Sequence, residues 1–266
     1  MKIIQITDTH LMPSGMVVNG VDPEKQLRAA VADIIEKHSD ADLGVMTGDL
    51  CNFGDPEAYA LLKDILSAVP FEMRLLLGNH DDRPNFRTAF PTHPVDDFGF
   101  IQSYRDTAFG RLLFLDSHEA GMVGGVYGGD RLDWLENALE GAGEQPVTVF
   151  IHHPPMDCGI AHFEHIGMHD EGLLMRRLST RPAGVRHIVF GHIHVSLTGT
   201  TAEGIPFSSG QACAHRFITD LDAPAPLWTG GPPCYRIITL SESGFRAFAV
   251  KVGELATAQA GICLGP

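Results

Sequence analysis

The stretch Leu43–Leu50, LGVMTGDL, is a short apolar run that ends in Thr-Gly-Asp. A continuous apolar run of this length, closed by a glycine, is typical of a strand buried on both faces of a parallel sheet. Asp49 would then lie at the carboxyl end of the strand, where open α/β sheets bind their ligands. The stretch therefore predicts a functional carboxylate at the edge of a sheet.

Four other apolar runs also end in residues that can bind a metal ion. The runs are Lys2–Thr7, Met73–Leu77, Val147–Ile151 and His187–Phe190. The residues that follow them are Asp8, His10, Asn79, His80, Asp81, His152, His153, His192 and His194. Because ligands bind at the carboxyl ends of such strands, we expect these side chains to lie around Asp49. The Asp49 carboxylate would then be shared by two metal ions.

The first three runs are separated by two helix signals. Asp22-Pro23 and Asp55-Pro56 each combine a helix N-cap with a proline at the first helical position. This order predicts a βαβαβ unit, which is a parallel sheet with right-handed crossovers. Beyond His194 the apolar pattern alternates like strands of a second sheet, in the segments Leu197–Thr201, Pro206–Ser209, Cys234–Leu240 and Phe245–Lys251.

The 266 residues are enough for one large α/β domain. We predict this domain over residues 1–252, including a C-terminal β region with a proline-rich arm at 219–233. The remaining residues, 253–266, are small and polar and are expected to form a poorly ordered tail.

Composition and charge are those of a soluble globular protein, with 44% hydrophobic and 20% charged residues. The formal net charge of −14 argues against nucleic acid and membrane lipid as partners. No apolar run approaches the ~18 residues of a membrane span. The segment MKIIQITDTH is too short in apolar residues for a signal peptide, so a cytoplasmic location is expected. The five cysteines form no C-x-x-C pair, which indicates reduced thiols.

The residue types at the strand ends indicate a catalytic metal site. Carboxylate, amide and imidazole ligands without thiolate suit Mn, Fe, Zn or Co. With one shared carboxylate, they suffice for two divalent or mixed-valence ions about 3.5–4 Å apart, a spacing that clamps a phosphate. A single histidine of this kind is more often a core or surface residue, but so many at strand ends make coincidence a poor explanation. The candidate ligands are Asp8, His10, Asp49, Asn79, His152, His192 and His194.

The ordered motifs resemble those of the calcineurin-like metallophosphoesterase superfamily. They are Asp8-x-His10, Gly48-Asp49, Gly78-Asn79-His80-Asp81, His152 and Gly191-His192-x-His194. His153-Pro154-Pro155 and Asn19-Gly20-Val21-Asp22 make the chain most similar to bacterial class III cyclic-nucleotide phosphodiesterases and glycerophosphodiesterases. The resemblance implies an α/β fold class, a four-layer α/β/β/α sandwich with two mixed sheets.

The resemblance also implies a role for each residue. The first metal ion would be held by Asp8, His10 and His194, and the second by Asn79, His152 and His192, with Asp49 bridging the two. A hydroxide between the ions would be the nucleophile, and His80 would act on the leaving group. Asp49 and His80 are thus the expected catalytic residues. Expected substrate contacts are His80, Asn19 and His153, where His153 supports a ligand or the substrate and does not bind metal.

Other reactive residue types are expected to have structural roles. Cys51 would be a small buried hydrophobe, and Asp81 and Asp116 would orient their neighbours by hydrogen bonds. Five further histidines are expected to be solvent-facing or structural, with one or two of them at the pocket: His118, His162, His165, His169 and His215.

The leading functional hypothesis is a hydrolase of small phosphodiesters, either 3′,5′-cyclic nucleotides or glycerophosphodiesters. One alternative is a phosphomonoesterase or protein phosphatase. Protein phosphatases of the superfamily usually add arginines near the metal ions, and Arg83 is the obvious candidate here. Another alternative is a metal-binding scaffold without activity, but such relatives tend to lose ligands that this chain keeps.

The proline-rich arm 219–233 is an unusual connection between two strands. Prolines exclude a regular strand, and the exposed aromatic side chain of Trp228 is typical of a contact surface. The family resemblance implies the same, since relatives use elements of this C-terminal region to dimerise and to roof the active site. We therefore expect a homodimer or higher homo-oligomer, with Trp228 at the subunit contact or the pocket rim. The alternative is an arm that packs on its own domain.

Overall fold

The computed structural model describes residues 1–170 and 172–253. A short 3₁₀ turn lies at Ala161–Phe163. The elements are β1 (Lys2–Ile6), α1 (Pro23–His38), β2 (Leu43–Thr47), α2 (Pro56–Leu66), β3 (Met73–Leu76), α3 (Arg83–Ala89), β4 (Ser103–Thr107), β5 (Gly110–Phe114), α4 (Asp130–Ala142), β6 (Val147–Phe150), α5 (Leu173–Ser179), β7 (His187–Phe190), β8 (Leu197–Thr200), β9 (Pro206–Ser209), β10 (Arg216–Phe217), β11 (Trp228–Thr229), β12 (Cys234–Ser241) and β13 (Gly244–Lys251).

Two mixed sheets form the centre of the fold. The first has the strand order β13-β12-β1-β2-β3, and the second has the order β4-β5-β6-β7-β9-β8. Strands β1, β2 and β3 are parallel neighbours, which confirms the predicted βαβαβ unit. The five strands that deliver the site residues are therefore divided between the sheets, with β6 and β7 in the second.

Side chains alternate along each strand, so that each sheet packs against the other sheet on one face and against helices on the other. Along β1, Ile3 packs in the core between the sheets and Ile4 packs in the core under α1 and α2. In β5, Phe114 points between the sheets and Leu113 points toward α4 and α5. Because successive strand side chains face opposite ways, each sheet is buried on both faces. The result is the four-layer α/β/β/α sandwich that the sequence led us to expect.

The four C-terminal strands do not form a sheet of their own, so that prediction was wrong. The β8–β9 hairpin extends the second sheet, with β9 parallel to β7. The β12–β13 hairpin extends the first sheet, with β12 antiparallel to β1. An alternating pattern shows that a strand has two different faces but does not say which sheet edge it pairs with.

The proline-rich arm 219–233 is held at its base by the short β10–β11 ladder. Residues 254–266, which make up all but one position of the predicted tail, lie outside the described residues. Within the described ranges, none of the helices is long and apolar enough to cross a membrane.

A buried arginine links the two sheets. Arg236 of β12 donates from Nε to Gln5 Oε1 of β1 (2.6 Å) and from Nη1 to Ser208 Oγ of β9 (2.9 Å). Gln5 in turn donates to Thr47 Oγ1 of β2 at 2.9 Å. Burial lowers the pKa of Arg236 to about 9, so the side chain remains mainly protonated at neutral pH.

Replacing Arg236 with alanine is expected to destabilise the fold by about 2–4 kcal/mol, because Gln5 and Ser208 would lose a buried charged donor. Urea unfolding in the presence of a chelator measures the change. Arg246→Ala on β13 is the control, since Arg246 is exposed and should cost less than about 0.5 kcal/mol. Equal effects of the two substitutions would show that the link between the sheets contributes little.

His187 at the start of β7 should make the fold sensitive to acid. Its ring stacks on Phe245 at 3.7 Å, and its Nε2 contacts Ser208 Oγ at 2.9 Å. Burial, aided by the charge of Arg236, lowers the pKa of His187 to about 3. The unfolded chain takes up this proton near pH 6.5, so stability is complete above that pH and is lost as the pH falls toward 3.

The His187→Gln variant removes this proton uptake. Between pH 6 and 4 its unfolding free energy should fall less steeply than that of the wild type, by up to about 1.4 kcal/mol per pH unit. Urea titrations at several pH values, with chelator present, measure the slopes. Exposed His165→Gln is the control and should keep the wild-type slope. Parallel curves for His187→Gln and wild type would contradict the assignment.

Candidate metal centre

The candidate ligands lie where the backbone leaves the strands in an unusual conformation. In the described chain, the non-glycine residues with positive φ are Asp8, His10, Asn19, Asp49, His192 and His194. Such conformations cost of order 1–3 kcal/mol each and concentrate at functional sites. Five of these six residues are predicted metal ligands, so the sharp turns at the strand ends are made by the ligands themselves.

The preceding glycines act mainly by leaving room. Only Gly48 has a positive φ (+92°), whereas Gly78 and Gly191 do not. A Cβ on Gly48 would lie 2.3 Å from the His152 ring, and one on Gly78 would lie 2.2 Å from Asp49 Oδ1. Of the three glycines, only Gly48 therefore turns the backbone through a positive φ, and Gly78 and Gly191 have another role. They allow the ligands to pack closely.

Four of the candidate ligand histidines each have one ring nitrogen hydrogen-bonded to an oxygen atom of the protein. The partners are Asn52 Oδ1 for His10 Nδ1 (3.1 Å), Thr47 O for His152 Nδ1 (2.7 Å), Ile166 O for His192 Nε2 (3.0 Å) and His215 O for His194 Nδ1 (2.8 Å). An oxygen acceptor fixes the proton on the bonded nitrogen, which leaves the other nitrogen with a free lone pair. This is the arrangement that metal-binding histidines use.

Asp49 lies between two groups of these ligands. Its Oδ2 is 3.5 Å from His10 Nε2, and its Oδ1 is 3.4 Å from His152 Nε2. On the first side, His10 Nε2 and His194 Nε2 approach to 3.0 Å, and His194 Nε2 is 3.6 Å from Asp8 Oδ1. On the second side, His152 Nε2 is 3.3 Å from Asn79 Oδ1. The two carboxylate oxygens thus face different ligand groups.

The donor atoms are close enough to share cations. Those of Asp8, His10, Asp49 and His194 lie within 4.8 Å of one another, and so do those of His152, His153 and His192. Where two such nitrogens meet, as His10 Nε2 and His194 Nε2 do at 3.0 Å, their lone pairs repel unless a cation or a proton lies between them. The imidazole, carboxylate and amide donors therefore fit divalent ions of the transition series.

Burial determines the protonation of the cluster. It lowers the pKa of His192 to about 3 and that of His194 to about 4, so both rings are neutral at pH 7. Burial also raises the pKa of Asp8 to about 7. For His152, burial lowers the pKa, but the Asp49 and Asp8 carboxylates and the hydrogen bond to Thr47 O together outweigh it and raise the value to about 9. A cation bound here would displace that proton.

His80 stands beside this cluster without being one of its inward-facing ligands. Its backbone N–H donates to Asp49 Oδ1 at 3.0 Å, and its ring meets His10 edge-on at 4.7 Å. The ring Nδ1 donates to the backbone oxygen of Asn52 at 2.8 Å. Asn52 was missed from the sequence, although it positions both His80 and His10. Its only sequence signal is its place three residues after Asp49.

A cavity of about 210 Å³ opens over the ligands. The predicted residues Asn19, Asp49, Asn79 and His80 line it, together with Trp228 of the arm. Trp228 therefore lies at the pocket, which is one of its two predicted positions, the other being the subunit contact. Sequence reasoning missed Phe163 and Phe217 in the lining and left His215 among the five histidines without a specific role.

His153 and Arg83 lie away from the cavity lining. His153 is fully buried, with Nδ1 2.8 Å from Ser117 Oγ and Nε2 3.2 Å from Val123 O. Arg83 makes a two-pronged ion pair with Asp116 at 2.9 and 3.1 Å and also donates to His118 O. Both side chains are therefore committed to partners within the protein.

Asp81 and Cys51 match their predicted structural roles. Asp81 accepts hydrogen bonds from the backbone N–H groups of Leu50, Cys51 and Gly78 and from the Tyr59 hydroxyl. Through these bonds it ties the loop after β2 to the loop after β3. Cys51 is fully buried in the core under α1 and α2, where burial raises the pKa of its thiol far above the usual range.

Comparison with known proteins now identifies the family. Residues 1–196 match the calcineurin-like phosphoesterase family profile, which is more than half of the chain. The chain belongs to the calcineurin-like phosphoesterase family. The matched region contains every candidate ligand discussed above.

Curated relatives of this calcineurin-like phosphoesterase include two kinds of phosphodiesterase. A probable cyclic nucleotide phosphodiesterase of Rhodopseudomonas palustris is 32% identical over 244 residues, with 90% of this chain and 88% of the relative covered. The glycerophosphodiester phosphodiesterase GpdQ of Enterobacter lignolyticus is 31% identical, with 88% and 84% covered. Among solved structures, a dimetal phosphatase of Danio rerio superposes with a TM-score of 0.69 at 13% identity, over 95% of this chain and 99% of that chain, which shows the shared fold.

Proposed function

We propose that this chain is a hydrolase of small phosphodiesters that works with two metal ions, on 3′,5′-cyclic nucleotides or glycerophosphodiesters. The observation that carries the proposal is the position of Asp49, whose two oxygens face separate groups of ligands. A carboxylate in this position can hold two cations close together, which is the requirement for clamping a phosphate. The names of the curated relatives support the same reaction.

Each residue of the cluster has a defined part in this reaction. Asp8, His10 and His194 would hold one ion, Asn79, His152 and His192 the other, and Asp49 would bind both. When bound, two such ions lower the pKa of water and neutralise charge on the phosphoryl oxygens. His80 faces the cavity, and its Nδ1 proton is held by Asn52 O. The cationic form of the ring would carry a second proton on Nε2 and would give that proton to the departing alkoxide, leaving a neutral ring.

A diester fits the cavity better than a monoester does. Among the described residues that line it, none is a lysine or arginine. A phosphomonoester carries an additional negative charge and would be served by a further cation, which Arg83 does not supply because it pairs with Asp116. Asn19 could bind the substrate by hydrogen bonds from the rim. The contacts of His153 suit a supporting role behind His152 and His192.

Several finer features belong to the same proposal. The native ions would be Mn, Fe, Zn or Co. The protein would be a cytoplasmic homodimer or higher homo-oligomer that binds neither nucleic acid nor membrane. The net charge of −14 supports the last two exclusions, because it repels polyanions. The exposed apolar residues of the arm, Leu221 and Leu227, support association through this region.

The test is a substrate panel with the purified protein after removal and return of Mn²⁺. The panel contains cyclic AMP, glycerophosphoethanolamine, a mononucleotide and a phosphopeptide. Metal-dependent hydrolysis of at least one of the two diesters, faster than of either monoester, is expected. Faster monoester hydrolysis would favour the phosphatase alternative. Bound metal with no hydrolysis of any compound would favour the scaffold alternative, although this chain keeps all ligands and His80.

A further inference from the structure

One wall of the cavity is a continuous row of aromatic rings. His192 contacts Phe163 at 5.7 Å, and Phe163 contacts Phe217 at 5.2 Å between ring centroids. Phe217 lies 3.8 Å from Trp228, which in turn meets His194 at 5.5 Å. The row therefore begins and ends at candidate metal ligands and includes the arm residue Trp228. A wall of this kind offers flat apolar surface and few hydrogen bonds.

Trp228 combines a fixed position with a free surface. It is paired with Phe217 across the β10–β11 ladder, and its ring also packs edge-on against His215 at 4.4 Å. Even so, 41% of the residue is exposed, and it lines the cavity. A large aromatic residue that is fixed by packing contacts and is still partly exposed can receive a planar group.

The arm that carries Trp228 is anchored on both sides of the tryptophan. Ile218 N–H donates to Leu227 O at 2.9 Å, and Arg216 Nη2 donates to Pro232 O at 2.9 Å. From α1, Gln26 Nε2 donates to Gly231 O at 2.7 Å. These bonds fix the ring before any substrate arrives, so little conformational entropy is lost when a ligand stacks on it.

We propose that Trp228 is the stacking platform for the base of a nucleotide diester and sets the preference of the site for nucleotide over glycerol-based diesters. The inference rests on the proposed function, since it assumes a diester with its phosphate at the metal ligands. The ring contact between Trp228 and His194 places the indole next to a candidate metal ligand, so a substituent on such a phosphate would lie close to it. Every nucleobase presents a π-face to an aromatic side chain, whereas glycerol does not.

The geometry also explains why a glycerol group would gain less binding free energy than a base on this wall. A glycerol or ethanolamine group needs hydrogen-bond partners, and the cavity near Trp228 is lined by the apolar residues Phe163, Phe217 and Pro226 besides the His194 and His215 rings. Burying an unpaired hydroxyl or ammonium group against such surface costs free energy. A purine base buries apolar area on the same surface and keeps its polar edge toward the open side.

The first experiment compares kcat/KM of the manganese-loaded enzyme for cyclic AMP and for glycerophosphoethanolamine. The Trp228→Ala variant is expected to lower the ratio of the two values by roughly 10- to 100-fold, mainly through a higher KM for cyclic AMP. Trp228→Phe keeps an aromatic face and should recover most of the ratio. Phe248→Ala is the control, because Phe248 is similarly exposed (52%) but lies on β13, outside the cavity lining.

The outcomes separate this inference from the proposed function. If wild-type enzyme hydrolyses diesters but Trp228→Ala slows both equally, Trp228 only supports the fold, and the inference is overturned while the function stands. A wild type that prefers the glycerol diester also overturns the inference alone. If the wild type hydrolyses neither diester, the proposed function itself fails.

A binding measurement tests the stacking of a base on Trp228 independently of hydrolysis. The chain has two tryptophans, so a Trp134→Phe variant leaves Trp228 as the single indole fluorophore. Adding adenosine monophosphate should quench its fluorescence in a saturable way, because a stacked purine is in direct contact with the indole, whereas glycerol phosphate should not. Trp134 lies outside the cavity lining, next to Tyr104. Equal responses to the two phosphates would overturn the inference.

Discussion

Replacing Asp49 with alanine is expected to remove both metal ions and to abolish phosphodiester hydrolysis. The two oxygens of Asp49 are the only atoms that face both ligand groups among the contacts described above, so no neighbour can replace them. Loss of a single well-placed electrostatic contact already costs about 10²–10³-fold in rate. Removing the residue that joins two cations should therefore cost more than about 10³-fold.

The fold should survive this change. Asp49 lies after the end of β2, and the ligands around it are held by their own bonds to Thr47 O, Asn52 Oδ1, Ile166 O and His215 O. In wild type, Asp49 raises the pKa of buried His152, so its removal lets that ring lose its proton and avoid an unpaired buried charge. Circular dichroism and urea unfolding of the metal-free proteins should thus give similar curves.

Elemental analysis after reconstitution with Mn²⁺ gives the metal content, and hydrolysis of a nitrophenyl diester gives the activity. The wild type is expected to bind two ions per chain, and Asp49→Ala fewer than one. Asp133→Ala, which removes an exposed carboxylate on α4, is the control and should behave as wild type. Full activity with one ion or none per chain would rule out a shared carboxylate at position 49.

The positions of the ligands could be predicted because each depends on a short piece of chain. A buried strand and the polar residue that ends it lie within eight residues, as in Leu43–Leu50, and parallel strands bring such ends together. The assignment of β8, β9, β12 and β13 could not be predicted in this way. Their pairing depends on which sheet edge is free, and that is decided by elements far away in the sequence.

The same distinction applies within the site. The ligands are read from local motifs, but the aromatic wall arises where the turn at Ala161–Phe163 and the arm 219–233 meet. The backbone contact from Ala161 N to Leu221 O, at 3.2 Å, joins these two segments across 60 positions (221 − 161). Nothing local to Phe163 or Phe217 signals that contact. Sequence patterns therefore predicted which candidate ligands lie together, whereas the shape of the pocket depends on contacts between distant segments.

Replacing His80 with alanine is expected to lower turnover but leave metal binding nearly unchanged. Its contact with Asp49 is made by the backbone N–H, which alanine keeps. The ring, by contrast, is aligned by Asn52 O, so that the cationic imidazole would deliver its second proton, on Nε2, to the leaving group. A positioned general acid typically contributes 10²–10⁴-fold, so kcat for an alkoxide leaving group should fall by about that factor.

The leaving group provides the sharper test of this role. Nitrophenolate is a weak base and leaves without a proton, so the loss in His80→Ala should be much smaller for a nitrophenyl diester than for cyclic AMP. Exposed His165→Ala serves as the control and should leave both rates and the metal content unchanged. A merely structural role of His80 would instead slow both substrates alike. Loss of metal together with activity would make His80 a ligand, and the assignment of Asn79 to the second ion would then be wrong, because the loop after β3 would present a different side chain to the cluster.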